Sequence, residues 1–268
     1  MSKQRIMQTS LSRVWGVSFA LATMLPVLSP SSIAAGLQVT PITLQIPINR
    51  QAEGIWLINT GQEPLSAQVR AFQWTQKNSE DLLAPTNNLT ISPPLIEIPP
   101  GGRQLVRVLR TGSPPAVGTE ASYRLIVDEL PTETKEQNQA DANVHRKSGH
   151  AYGMKFLMRY SVPVFIGDAT EESIRSVNKD LHWSITRERE SWALEVSNAG
   201  SIHAQLADVA AVGAEGQTML INKGMLGYVL PGSTMRWTVP TPQISFPVKA
   251  YQAMINSDVQ PINVPASP

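Results

Sequence analysis

The sequence predicts an all-β protein with two sandwich domains behind an export signal. Short segments of alternating apolar and polar residues recur along most of the chain, which is the period of half-buried strands. Proline and glycine separate these segments at near-regular intervals, as they do in β-sandwiches. No segment keeps a helical period over three turns. The parts of the chain support this fold class in turn, from the N-terminus onward.

The N-terminus has the features of a secretory signal peptide. A basic start precedes the apolar run Val14–Leu28, and small residues follow it. The run is shorter than the ~20 residues that span a bilayer, and Pro26 interrupts it. We expect removal of residues 1–35, with the cut at Ala34 or Ala35. The alternative is an uncleaved membrane anchor.

The composition limits the possible classes of protein. The chain has 268 residues, which leaves about two domains of ordinary size after the signal, and 42% of the residues are hydrophobic. The formal net charge is +1, so the basic face of a nucleic-acid-binding protein is not indicated. There is no cysteine, which excludes disulfides and cysteine-bound zinc. No later segment is apolar enough to span a membrane, so we expect the mature protein to be soluble.

The first half of the mature chain contains six predicted strand segments. They alternate in polarity or form short apolar runs that end at turn residues. The prolines between Ser92 and Gly102 restrict that stretch to an edge strand or a turn. The six segments are 37–48, 55–58, 67–74, 89–91, 104–109 and 123–130.

A polar stretch from Pro131 to Gly149 interrupts the pattern. Structureless loops of this length are usually functional or disordered. The stretch leads into Tyr152–Ile166, the most apolar predicted strand of the protein. A second set of strands follows, so we place the domains at 36–167 and 168–268. The segments of the second set are 181–185, 192–196, 203–209, 227–232, 235–239 and 250–255.

The ionisable residues form no recognisable catalytic pattern. His145 and His150 lie in the polar stretch, and a metal shared with Asp141 is one interpretation of them. No third ligand stands at a fixed spacing, so solvated loop residues are the simpler interpretation. Asp128 and Glu129 are neighbours on a strand and therefore point to opposite faces. No nucleophile-elbow, zinc-protease or P-loop motif occurs. We expect no enzyme activity, no metal and no cofactor.

Several motifs, taken in order along the chain, match one protein family. They are LQVTPI (37–42), NTGQEPLSAQVR (59–70), SPP (92–94), PPGGRQLVRV (99–108), YRLIVDELP (123–131), RYSVPVF (159–165), VSNAGSIH (196–203) and GYVLPG (227–232). In this order the chain resembles the periplasmic pilus-assembly chaperones of the PapD-like family, and most of all their archaic, Csu-type branch. The resemblance covers nearly the whole mature chain. It implies two immunoglobulin-like domains in a boomerang arrangement with a cleft between them.

The resemblance also implies a binding mode. Chaperones of this family lend an edge strand to a pilus subunit that lacks one, which is a form of β-augmentation. The donor strand would lie at about residues 150–166. Tyr152, Met154, Phe156 and Met158 share one face of this strand, and we expect them to enter the subunit. The alternative is that these side chains face the core of their own domain, because apolar alternation marks any inner strand.

Further site residues are carried over from the family. Two basic residues between the domains anchor the C-terminal carboxylate of the subunit, and Arg159 matches one of them. Thr43 stands where the other is expected, so the anchor differs in this chain, and Arg107 is a candidate substitute. Prolines on the first domain contact the outer-membrane usher in this family, and Pro64 and Pro94 fall at the corresponding places. Ordinary turn prolines are the alternative for both.

The predicted function is therefore that of a periplasmic chaperone in a Gram-negative bacterium. It would cap pilus or fimbrial subunits by donor-strand complementation and deliver them to an outer-membrane usher. The same edge of the free protein could also pair with a second copy. The alternative is an exported two-domain β-sandwich adhesin or carbohydrate-binding protein. An enzyme would need paired carboxylates, for which Asp128, Glu129 and Asp168 are the candidates.

Overall fold

A computed structural model describes most of the chain beyond residue 35. The described residues are 36–131, 156–169, 176–188, 191–239, 244–256 and 260–266. They fall in one compact unit and are mostly strand. The helical residues among them are Ser176 and the 3₁₀ turn Val177–Asp180.

The first ten strands form a sandwich, the first sandwich. They are β1 (Leu37–Thr40), β2 (Leu44–Ile46), β3 (Ala52–Asn59), β4 (Leu65–Lys77), β5 (Glu80–Pro85), β6 (Leu89–Ser92), β7 (Leu95–Ile98), β8 (Arg103–Arg110), β9 (Glu120–Leu130) and β10 (Arg159–Gly167). One sheet has the order β1-β3-β8-β6. The other has the order β2-β10-β9-β4-β5, with β7 also paired to β4. All of these pairs are antiparallel except the pair of β2 with β10.

The core of the first sandwich comes from the alternation in the sequence. Leu57 on β3 and Val106 on β8 are fully buried, and so is Leu125 on β9 in the facing sheet. Each large aliphatic side chain buried in this way contributes about 1.5–3 kcal/mol relative to exposure. Because side chains alternate across a strand, the even-numbered residues of β4 and β9 lie on the outer face of their sheet.

The remaining seven described strands form the second sandwich. They are β11 (Leu181–Glu188), β12 (Ser191–Asn198), β13 (Ala204–Gly213), β14 (Thr218–Val229), β15 (Thr234–Val239), β16 (Val248–Ile255) and β17 (Ile262–Pro265). Their sheets have the orders β11-β12-β15 and β14-β13-β16-β17. Trp183 and Tyr251 pack face to face inside this sandwich, with ring centroids 5.4 Å apart.

Each sandwich has its own core. The core of the first ends at Ile166 in the chain, and the core of the second begins at Val177. The domain boundary after Gly167 stays a prediction. The predicted all-β class with two sandwiches is confirmed by this architecture.

The sequence did not predict two of the strands and part of a third. All six residues of β5 are exposed, so the strand has no alternation to reveal it. It pairs with β4 through a two-residue turn at Asn78 and Ser79, which have φ values of +54° and +61°. The short strand β17 was not predicted, and β14 is longer than the predicted segment 227–232, which includes only its last three residues.

Candidate functional site

One edge of β10 is uncovered along half of the strand. β9 pairs with β10 over its whole length, whereas β2 covers the opposite edge only at Val164–Ile166. No other described strand lies along that edge of Arg159–Pro163. Pro163 lies in this uncovered part, which fits its lack of an N–H group.

The main-chain groups along this edge are available for a further strand. In an antiparallel pair, the N–H and C=O groups of successive residues point to alternate sides. The N–H of Glu129 on β9 donates to the C=O of Met158 at 2.9 Å, so the main chain of Met158 faces β9. The groups of Leu157, Arg159 and Ser161 therefore point away from β9, toward the uncovered edge.

The residues just before β10 carry exposed apolar side chains. Phe156 is 71% exposed and Leu157 is 45% exposed, so two adjacent large apolar side chains face solvent. Met158 is half-buried, and its N–H donates to Oε2 of Glu129 at 3.1 Å. Glu129 thus binds both main-chain polar groups of Met158, the N–H through its side chain and the C=O through its main chain. Phe156 lies two residues before this contact.

Within the described residues the strand begins later than the sequence predicted, because the prediction includes Phe156–Met158 whereas β10 begins at Arg159. The Met158 N–H donates to the side chain of Glu129, so the main-chain ladder with β9 ends at this point. Tyr152 and Met154, two of the four predicted donor residues, lie outside the described residues.

Arg159 pairs with a carboxylate on the outer face of its sheet. Its Nε donates to Asp128 Oδ1, and Arg70 Nη2 donates to Asp128 Oδ2 at 2.7 Å. Burial acts to raise the pKa of Asp128, but the hydrogen bonds and charges of the two arginines outweigh it and hold the pKa below its usual value. Both oxygens of Asp128 are occupied, so Arg159 already has a carboxylate partner within the protein.

Arg107 lies in the other sheet of the first sandwich. On β8 it stands opposite Gly54 on β3 and Ser92 on β6, and its side chain is exposed. The structure therefore does not bring Arg107 and Arg159 together.

The two sandwiches meet at a small apolar cluster, which we call the junction. It consists of the buried side chains of Trp74, Phe165, Tyr228 and Leu230. The edge of the Tyr228 ring packs against the Trp74 ring, with centroids 5.3 Å apart. Phe165 belongs to β10, so the junction lies at the opposite end of that strand from Phe156.

Arg124 is the basic residue that the structure places at the junction. Its guanidinium carbon lies 3.7 Å from the centroid of Trp74 and 5.3 Å from that of Tyr228, within cation–π range. Burial lowers the pKa of Arg124, while the charge of Asp81 and the Tyr228 oxygen act in the opposite direction. Asp81 is the only carboxylate within 4 Å among the described residues, at 3.8 Å from Nη2.

Thr43 reaches the same place from the other side. It precedes Leu44, the first residue of β2 that pairs with β10. Burial raises the pKa of Tyr228, and the nearby Thr43 side chain and the charge of Arg124 partly oppose that effect. Arg124, Thr43 and Tyr228 thus lie together at the junction end of β10. Sequence comparison pointed to Thr43 but missed both Arg124 and Tyr228.

Gln76 on β4 connects the two sandwiches. Its side chain accepts a hydrogen bond from the Leu230 N–H at 2.8 Å and donates to the Tyr228 carbonyl at 2.9 Å. Its amide nitrogen also lies 2.9 Å from Asp81 Oδ1, which accepts a hydrogen bond from it. Gln76 therefore fixes the main chain on both sides of Val229.

A buried histidine and glutamate form a second connection. His203 Nδ1 lies 2.9 Å from both carboxylate oxygens of Glu120, and the His203 N–H donates to the same carboxylate at 3.2 Å. The His203 ring stacks on Phe165 with centroids 3.5 Å apart. Because Glu120 belongs to β9 and Phe165 to β10, this contact ties the second sandwich to the end of β10.

The two predicted usher-facing prolines are exposed and flank the β4–β7 pair. Pro64 precedes Leu65, the first residue of β4, and the Pro94 carbonyl accepts the Val69 N–H at 2.8 Å. Leu95, next to Pro94, is 61% exposed and adds an apolar surface.

The described residues offer few other candidates for catalysis or metal binding. Asp128 and Glu129 border a cavity of about 540 Å³ on the outer face of the first sandwich, but both are engaged by the neighbours described above. Among the described residues, no group of three or more histidine and carboxylate side chains could hold a metal ion. His145 and His150 lie outside the described residues.

Comparison with known proteins identifies the class. Residues 36–167 match the family profile described as pili and flagellar-assembly chaperone, PapD N-terminal domain. The chain therefore belongs to the PapD-like pilus-assembly chaperones, which are a family of chaperones and not of enzymes. A search of curated protein sequences found no match.

Solved structures of several chaperones share the fold. A chaperone–tip adhesion subunit complex, CsuC–CsuE, from the archaic chaperone-usher Csu pili of Acinetobacter baumannii is 26% identical, with a TM-score of 0.61 over 86% of this chain and 97% of that one. The SafB chaperone complex with SafA pilin of Salmonella enterica is 14% identical, with a TM-score of 0.60 over 88% and 98%. The CupB2 chaperone of Pseudomonas aeruginosa is 16% identical, with a TM-score of 0.56 over 86% and 100%. The predicted resemblance to the archaic branch is confirmed.

In the part of the chain that the structure describes, no helical segment has the length and apolar character that crossing a bilayer requires.

Proposed function

We propose that this chaperone captures pilus subunits by adding its β10 edge to them as a missing strand. The observation that carries the proposal is the uncovered edge of β10, which ends in an exposed Phe156. Proteins normally cover or charge such edges because they pair with other chains. An uncovered edge with apolar side chains at one end suits an incomplete β-sandwich as its partner.

The main chain of β10 would form the hydrogen bonds to the added strand. The outward-facing groups of Leu157, Arg159 and Ser161 would pair with the added strand, and Pro163 would end the series because it has no N–H to donate. β2 occupies the edge beyond that point. The added strand would thus occupy the half of the edge that β2 leaves open.

The donor side chains would supply the apolar contact. Phe156 and Met158 begin this face within the described residues, and we propose that Met154 and Tyr152 extend it. Burying one side chain of this size contributes about 1.5–3 kcal/mol, and association costs roughly 4–15 kcal/mol. Two side chains alone would not hold a subunit, so the longer face and the ladder are both needed.

We place the carboxylate anchor at Arg124, with Thr43 and Tyr228 beside it. Arg159 already binds Asp128, and its position on β10 is four residues, about 13 Å, from that of Pro163, which stands opposite Arg124. Arg107 lies in the other sheet. A charge-assisted hydrogen bond from Arg124 would contribute roughly 1.5–3 kcal/mol and set the register of the added strand. A strand that ends at Arg124 would run parallel to β10, as β2 does.

Two further parts of the proposal concern delivery. We propose that export depends on removal of residues 1–35 and that the protein acts in the periplasm. We also propose that Pro64, Pro94 and the exposed Leu95 face an outer-membrane usher. These three residues are separated from the β10 edge by β9 and β4, so an usher and a subunit would not compete for one surface.

The experiment is capture of a subunit in the periplasm. The chaperone, with a C-terminal tag, would be co-expressed with the small β-proteins encoded beside it, and stoichiometric partners would be identified by mass spectrometry. Phe156→Asp should reduce capture more than tenfold without changing the unfolding temperature, because the aspartate would have to be buried in the subunit. Val117→Asp is the matched control, since Val117 is 89% exposed and lies just before Glu120, which pairs with Gly167 at the end of β10 opposite Phe156.

Two results would contradict the proposal. Equal capture by Phe156→Asp and the unchanged protein would remove Phe156 from the interface. A clean monomer with no partner would favour an adhesin or carbohydrate-binding function, and glycan binding would be measured next.

A further inference from the structure

Asp81 lies beside Gln76 and Arg124, the residue of the proposed anchor. Its Oδ1 accepts a hydrogen bond from Gln76 at 2.9 Å, and its Oδ2 lies 3.8 Å from Arg124 Nη2. The Asp81 side chain is 45% exposed, whereas that of Arg124 is 14% exposed. The carboxylate therefore stands at the solvent side of the guanidinium.

The contact between Asp81 and Arg124 is an ion pair without a close hydrogen bond. A distance of 3.8 Å exceeds the 2.7–2.9 Å of a charge-assisted N–H···O bond. Each Arg124 nitrogen atom either has a hydrogen-bond partner or is open to solvent. The guanidinium can therefore donate to a second carboxylate without first losing a hydrogen bond to Asp81.

The hydrogen bond from Gln76 holds the Asp81 side chain in its position near Arg124. The same amide group that holds Asp81 is fixed by the main chain of Tyr228 and Leu230. The negative charge of Asp81 consequently stays near Arg124 in the free protein.

We propose that Asp81 is a built-in counter-ion that weakens the binding of a chain-terminal carboxylate at Arg124. This inference rests on the proposed anchor. A second carboxylate at Arg124 is attracted by the guanidinium and repelled by Asp81, so part of the attraction is cancelled. The strand ladder must then supply most of the affinity, and the anchor sets the register without holding the subunit too tightly to be passed on.

The test measures how strongly a bound strand depends on its terminal carboxylate. The probe is a peptide with two N-terminal lysines and twelve alternating valine and threonine residues, made as the free acid and as the C-terminal amide. Its Kd for the exported full protein would be measured by calorimetry in both forms. The ratio of the amide Kd to the acid Kd is the carboxylate preference.

Asp81→Asn should raise this preference on the order of three- to tenfold, because it removes the repelling charge and keeps an oxygen for Gln76. The gain should shrink at high salt, since Asp81 is partly exposed. Glu80→Gln is the matched control. It removes the same charge from the preceding residue, which is also exposed but projects from the other face of β5. Asp81→Ser provides a second variant without the amide.

The outcomes separate this inference from the anchor itself. A carboxylate preference in the unchanged protein that neither Asp81 variant alters would overturn the counter-ion role and leave Arg124 as the anchor. A lower preference in the variants would show that Asp81 positions Arg124, which also overturns it. No preference in the unchanged protein would overturn the anchor and the inference together.

Discussion

At the scale of single residues, Arg124 shows how an ordinary surface position becomes a candidate binding group. On β9 it alternates with the buried Tyr123 and Leu125, so its side chain lies on the outer face of the sheet. Any solvent-exposed arginine on a strand would have the same sequence pattern. Only the contact with Trp74 and Tyr228, which are distant in sequence, distinguishes it.

The anchor leads to a first residue-scale prediction. Arg124→Gln should reduce the affinity for a captured subunit about tenfold or more, since it removes a charge-assisted hydrogen bond worth roughly 1.5–3 kcal/mol. Arg107→Gln, on the other sheet, is the control and should leave the Kd unchanged. Calorimetry with the purified subunit would measure both. If Arg107→Gln weakened binding and Arg124→Gln did not, the anchor would have to be moved.

The carboxylate of Asp128 leads to a prediction about pH. Its pKa is lowered in the folded protein, because the Arg159 and Arg70 interactions outweigh the opposing effect of burial. A lowered pKa stabilises the folded state above the unfolded value of about 3.9, and this stabilisation is lost as the pH falls through the folded value. The difference in unfolding temperature between the unchanged protein and Asp128→Asn should therefore be full at pH 5–7 and shrink below about pH 4. A difference that persisted undiminished well below that pH would contradict the assigned cause.

At the scale of elements, β10 combines two roles along one strand. Its even-numbered residues Val162, Val164 and Ile166 are buried in the core of the first sandwich. The main-chain groups of its odd-numbered residues from Arg159 to Pro163 face the edge that β2 leaves open. The strand is thus held firmly on one side and can pair on the other.

A proline scan of β10 would test this division. Ser161→Pro removes an N–H that faces the open edge, so the fold should be retained while subunit capture falls severalfold. Tyr160→Pro removes an N–H that faces β9 and should lower the unfolding temperature strongly, because it breaks the ladder of the sandwich. Circular dichroism and pull-down would measure the two effects. Unfolding of both variants would mean that the edge at Ser161 is already paired within the protein.

The hairpin of β4 and β5 is the element that sequence analysis missed and the site depends on. β4 extends to Lys77, beyond the core of its sandwich, and carries Trp74 and Gln76 to the junction. β5 carries Asp81 to Arg124. Its exposure on both faces removes the alternation that makes strands recognisable, and its turn of Asn78 and Ser79 is the only local sign.

At the scale of the whole molecule, the two sandwiches are joined by polar contacts around a small apolar cluster. Glu120 is almost fully buried, with its side chain 2% exposed, and its partners are the ring and the main-chain N–H of His203. Burying a carboxylate costs free energy unless it is hydrogen-bonded, so this pair specifies how the second sandwich meets β9 and β10. The same junction brings Tyr228 next to Arg124 and Thr43, and the candidate anchor therefore depends on both sandwiches.

By itself, the sequence determined the all-β class, most strands of both sandwiches and the family, because alternation and turn residues are local signals. It also pointed to Phe156 and Met158, which begin the proposed donor face. The positions of Arg124, Gln76 and Asp81 were decided only by the tertiary structure. Their contacts join residues far apart in the chain, and no local pattern records which distant strand end lies beside which.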